Sequence, residues 1–159
     1  MNETALRKQL QKFLAFPEAH ADWPEVLKNF PPKLRGVRPP GAPHSPWELL
    51  EHARIAQWDI LEFSRDPKHV SPDFPSGYWP KTPAPPSAAA WSRSVRTFLR
   101  DRRAMQQLVV NAKVDLFARI PHGMGQTILR EALLAADHNS YHLGQFVLLR
   151  RLLGEWPKR

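Results

Sequence analysis

The chain has no cysteine among its 159 residues. Disulfides, thiolate metal sites and a cysteine nucleophile are therefore excluded. A chain without cysteine fits a reducing compartment, so a cytoplasmic protein is the expectation. Long apolar runs are missing too. None approaches the roughly 18 residues needed to span a bilayer. The opening stretch, MNETALRKQLQKFLAF, lacks the uninterrupted apolar core of a signal peptide. It patterns as an amphipathic helix with Leu6, Leu10, Phe13 and Leu14 on one face. There is no P-loop and no G-x-S-x-G, and HGMGQT at 122–127 has no third glycine at dinucleotide spacing. Nucleotide chemistry and a serine triad thus lack a recognisable site. Acidic residues are scarce, 15 against 23 Lys and Arg, which leaves a net charge of +8. Such a charge can attract nucleic acid, anionic membrane or acidic ligands, but a solvated basic surface is the simpler account.

What is present describes a folded protein. Hydrophobic residues make up 42% of the chain, with six Trp and eight Phe, so a sizeable core can form. A single domain over 1–159 is expected. Proline marks its connections: six of the seventeen lie in 31–46 and seven in 67–86. Proline lacks an amide proton and clashes with the preceding helical turn, so both stretches are expected to be irregular. Four longer segments remain, at about 3–16, 46–64, 87–112 and 127–154, with a short turn near Asp22. The second opens with Ser45 as cap, Pro46 at the first helical position and Glu48 completing a capping box. The third opens at Ser87, with Trp91, Val95, Phe98, Met105 and Val109 on one stripe. The fourth runs from Thr127 to Gly154, with Pro157 beyond. Apolar spacings are three and four, not two, which predicts an all-α four-helix bundle. The 65–86 connection is too long for a simple hairpin and reads as a crossover or an end cover. Its FPSGYWP stretch carries three aromatics, so part of this loop is expected to pack.

The last segment contains DHNSYHLGQ, residues 137–145. His138 and His142 are four apart, about 40° around a helix and one turn along it, so both imidazoles can reach one ion. The spacing is that of H-E-x-x-H without its glutamate. The inward stripe runs Ile128, Ala132, Ala135, His138, His142, Phe146, Leu149 and Leu152 or Leu153, which puts both histidines on the core face. A third inward histidine, His52, shares the second helix with Leu49, Ala56, Ile60 and Phe63. His20, His44, His69 and His122 fall in expected loops. Three imidazoles with an open position suit a reactive metal site, whereas a buried polar cluster explains the same pattern without a metal. Gln145, Glu131, Glu48 and Asp59 share these faces and are candidates to orient an imidazole. Tyr141 is a candidate proton donor or substrate contact. Tyr141 and Gln145 are the candidate catalytic helpers.

HSPWELLEHARIAQWDIL, followed by TILREALLAADHNSYHLGQFVLLRRLLG, resembles the DinB-like superfamily of metalloenzymes. The shared features are one histidine in the second helix, H-x-x-x-H in the last long helix, and a following GQ. The resemblance covers nearly the whole chain and is densest in 45–64 and 127–154. It implies a four-helix bundle with unusual connections and a divalent metal, zinc or nickel, on His52, His138 and His142. It also implies a metal-bound water or a low-molecular-weight thiol as nucleophile, in a hydrolase or thiol-dependent transferase acting on a small-molecule substrate. A homodimer is a further implication. The other readings are a non-catalytic dimeric metal-binding module and a basic nucleic-acid binder. The last would use Arg93, Arg96, Arg100 and Arg103, which form a stripe on the third helix, although no nucleic-acid motif accompanies them. Arg102 continues the apolar stripe and is expected to point inward, toward an acidic residue or, as the less favoured alternative, the carboxylate of a thiol cofactor.

Overall fold

The computed structural model describes residues 2–15 and 19–156. Five α-helices follow one another: α1 (Glu3–Ala15), α2 (Trp23–Leu27), α3 (Pro46–Arg65), α4 (Ala88–Val110) and α5 (Ile128–Leu152). Among the described residues there is no strand, only an isolated bridge between Arg119 and Thr127. The expected helix end at Phe16 and the stop at Pro157 lie outside the described residues.

The helix starts follow from capping. Ser45 accepts from the Glu48 amide, and the Glu48 carboxylate accepts from the Ser45 amide, a complete capping box with Pro46 behind it. Asp22, Ser87 and Thr127 cap α2, α4 and α5 through their side-chain oxygens. α5 ends at Gly154, whose φ of +74° suits a residue without Cβ. The Glu155 amide donates to Arg150 O and the Gly154 amide to Arg151 O, which closes the last turn.

α1, α3, α4 and α5 pack together, with α4 against both α1 and α3, and α5 against α3 and α1. α1 and α4 are antiparallel: Arg7 donates to Val109 O near one end, and Gln106 donates to Gln11 O further along. α3 and α5 are also antiparallel, with His52 beside His142 and Gln57 beside Asn139. α3 and α4 run in the same sense. Trp47 meets Trp91 near their starts, and Arg65 feels the charge of Asp101 further on. A 20-residue helix is about 30 Å long, so the 66–87 connection must travel back that distance and is a crossover.

Two buried clusters fill the interior. One gathers Trp23, Phe30, Trp91, Phe98 and Phe146; the other gathers Leu14, Leu61, Met105, Val109 and Ala132. Along α5 the second cluster reaches Ala136 and the first resumes at Leu143. His138, Asn139 and His142 occupy the interval. One expectation of burial fails: Phe13 is exposed. Of the two candidates for the end of the α5 stripe, Leu152 is exposed and Leu153 packs on the first cluster; in the 66–87 connection Trp79 packs there as well, while Phe74 is exposed. Arg7 takes an inward position instead, donating to three carbonyls around the end of α4: Val109, Asn111 and Val114. Arg102 is buried as expected; it donates to Ala15 O and feels the charge of Asp22. No helix is long and apolar enough to cross a membrane, among the described residues.

Candidate metal centre

His52 lies two turns into α3, and His138 and His142 lie mid-way along α5. The antiparallel packing of these helices brings the three together. Ring centroids are 5.0 Å apart for His52 and His138, 4.5 Å for His52 and His142, and 4.4 Å for His138 and His142. One ligating nitrogen from each lies within 4.8 Å of the others. Nε2 of His138 is 3.1 Å from Nε2 of His52. Tetrahedral zinc with bonds of 2.0–2.1 Å separates imidazole nitrogens by about 3.3 Å, so this pair is already at ligand spacing.

The remaining nitrogens determine which lone pairs face inward. His52 Nδ1 is 3.0 Å from Tyr78 O, a group that can only accept. It therefore carries the proton, and His52 Nε2 carries the lone pair. His142 Nδ1 is 2.8 Å from Gln145 Oε1 and is fixed in the same way. His138 Nδ1 is buried without a hydrogen-bond partner. Burial, then the neighbouring imidazoles His142 and His52, push His138 down to about 3. Burial, with His52 next, pushes His142 down to about 4. His52 is lowered as well, chiefly by desolvation. All three are neutral at pH 7, the state in which imidazole binds a metal. The donor set therefore fits a divalent cation.

The crossover builds one wall. The Trp79 indole stacks on His52 at 4.0 Å and 5°, and on His44 at 4.1 Å and 22°. Tyr78, whose carbonyl holds His52, donates its hydroxyl to Asp59 Oδ2 at 2.6 Å. His69 Nε2 is 2.7 Å from the other oxygen of the same carboxylate. Asp59, on α3, thus anchors the loop that orients His52. Of the carboxylates sharing these faces, Glu48 pairs with Arg38 and Glu131 with Arg130. Neither hydrogen-bonds an imidazole. Gln145 does so directly, and Asp59 acts through Tyr78. Tyr141 is exposed, with its ring against the edge of His142 at 5.0 Å. Below the imidazoles, Asn139 donates to Gln57 Oε1, both fully buried.

A family model described as the DinB superfamily matches residues 15–146. The chain belongs to the DinB superfamily. The matched span includes His52, His138, His142 and Gln145, so this DinB-superfamily chain carries its candidate metal centre inside the region that defines its membership. No curated protein and no solved structure matches the chain.

Tyr78 and Trp79 were visible in the sequence only as aromatics in a packing loop. The backbone carbonyl of Tyr78 has no sequence signal at all. His44 and His69 read as loop histidines, which they are, yet one stacks in the wall of the site and the other braces Asp59. The arginines Arg93, Arg96, Arg100 and Arg103 lie exposed along α4, as expected of a solvated face.

Proposed function

We infer that this DinB-superfamily chain is a metal-dependent enzyme acting on a small molecule, with His52, His138 and His142 as ligands of a divalent ion, zinc or nickel. The observation that carries this is the convergence of three neutral imidazoles, two of them oriented by acceptors on Nδ1. Three neutral ligands leave a bound cation its full charge, which supplies Lewis acidity to activate a water or a low-molecular-weight thiol and to polarise a substrate.

The chain's own groups supply orientation and shelter. Tyr78 O and Gln145 Oε1 hold two rings, and Trp79 covers one face of His52 from water. Gln145, beside His142, and Tyr141, on its exposed side, are the candidates to contact a reacting molecule. The dimer and the reaction type, hydrolase or thiol transferase, belong to the same proposal. The test is elemental analysis of purified protein with and without His138→Ala. One equivalent of metal is expected in the wild type and a large loss in the variant. Equal stoichiometry in both would overturn the ligand assignment.

A further inference from the structure

An apolar pocket of about 160 Å³ lies where the start of α3, the loop before it and the last turns of α5 meet. Ala42, Pro43, Leu49, Leu148, Leu149 and Leu152 form its walls. Its polar side chains are those of His44 and Gln145. Both touch groups that orient or cover the metal ligands. Gln145 accepts from His142 Nδ1 while it lines the pocket. His44 stacks on the indole that also stacks on His52. Along α5, Gln145 is about 4.5 Å and Leu149 about 10 Å beyond His142, at the helical rise of 1.5 Å per residue. The pocket therefore starts within one helical turn of His142, beside the hydrogen bond that orients its ring.

We propose that this pocket takes the apolar part of the substrate, an alkyl chain of about four to six carbons or a single aromatic ring, since a dry apolar cavity of roughly 150 Å³ accepts benzene. The other end of that molecule carries an oxygen or sulfur donor for the metal. The inference rests on the metal centre proposed above and adds the substrate class. A charged tail would lose its hydration against leucine and proline without gaining a partner. Leu148 and Leu152, at 56% and 52% exposure, stand one turn apart in the lining, and an apolar ligand would remove their surface from water.

The test uses the full chain loaded with Co²⁺ and follows its visible absorption during titration. Azide reports the open metal position alone. A series of acetohydroxamate, butanohydroxamate, hexanohydroxamate and benzohydroxamate adds apolar bulk to a constant metal-binding head. Affinity is expected to rise about fourfold per methylene until the pocket is filled. Leu148→Asp and Leu152→Asp, at exposed positions that do not endanger folding, should flatten the series and leave azide affinity unchanged. A flat series in the wild type, or one that survives both substitutions, would overturn the pocket assignment while azide binding upheld the metal centre. Failure to bind Co²⁺ would overturn the metal centre, and Co²⁺ binding without azide binding would overturn its open position; either result would overturn this inference.

Discussion

Nε2 of His138 and Nε2 of His52 face each other at 3.1 Å. The contact has a definite proton arrangement. His52 donates its Nδ1–H to Tyr78 O, so its Nε2 is a lone pair. Two lone pairs at that distance repel. Without an ion, His138 must donate through Nε2; with an ion, both nitrogens point lone pairs at it. Metal binding then moves the His138 proton from Nε2 to Nδ1. Long-range proton–nitrogen correlation spectra at pH 7 distinguish the tautomers. The expected result is Nε2–H in metal-free protein and Nδ1–H after zinc is added. An unchanged His138 tautomer would contradict the shared site.

Asp59 is a positioning residue for His52. It binds Tyr78 and His69, and Tyr78 O binds His52. Asp59→Asn should weaken metal affinity by about tenfold, at the lower end of the effect of outer partners. Tyr78→Phe should have a smaller effect, because the carbonyl and the His69 contact remain. Competition with a chromophoric chelator measures both. Affinities equal to wild type in both variants would show that the loop holds its place without this anchor.

Gln145 orients His142 through one hydrogen bond. Gln145→Leu keeps the bulk but removes the acceptor, leaving a buried N–H unsatisfied. Metal affinity should fall about 10-fold or more. Gln145→Glu restores an acceptor and should recover most of the loss. If Gln145→Leu and Gln145→Glu bind metal equally, the hydrogen bond does not set the ligand geometry.

Metal-free protein should lose stability in mild acid. His138 and His142 sit at about 3 and about 4, against 6.5 when exposed. Between those values the unfolded chain binds more protons than the folded one, so stability is full above 6.5 and declines as pH falls toward 4. Each imidazole contributes a slope of about 1.4 kcal/mol per pH unit inside that window. Urea midpoints of metal-free protein at pH 7.5 and pH 5, compared with His142→Gln, isolate one share. The variant should lose about 1–2 kcal/mol less than wild type between the two pH values. Equal losses would mean that His142 is not held neutral by the fold.

Much of the helical framework could be read locally. Ser45, Ser87 and Thr127 cap the residues that follow them, and apolar spacing of three and four marks the buried sides. Those signals span a few residues, so they need no tertiary information. His138 and His142 were legible as a pair for the same reason. The inward direction of His52 followed from its stripe, although its distance from the pair did not.

The misreadings were also local in origin. Phe13 has an apolar side chain on the face of α1 that reads as inward, yet it is 46% exposed. Arg7 carries a charge but is buried. Arg7 is compensated by the free carbonyls at the end of α4, whose positions depend on how α1 and α4 pack.

The sequence by itself determined which segments are helical, where they start and which residues could ligate a metal. These are properties of one turn or one helix face. Tertiary structure alone decided that α3 and α4 run in the same sense, and hence that the crossover passes the imidazoles. It also decided that Tyr78 O, Trp79, His44 and Asp59 build the wall of the site. Those contacts join groups far apart in the chain, and their geometry is set by packing between helices rather than by the order of residues within any one of them.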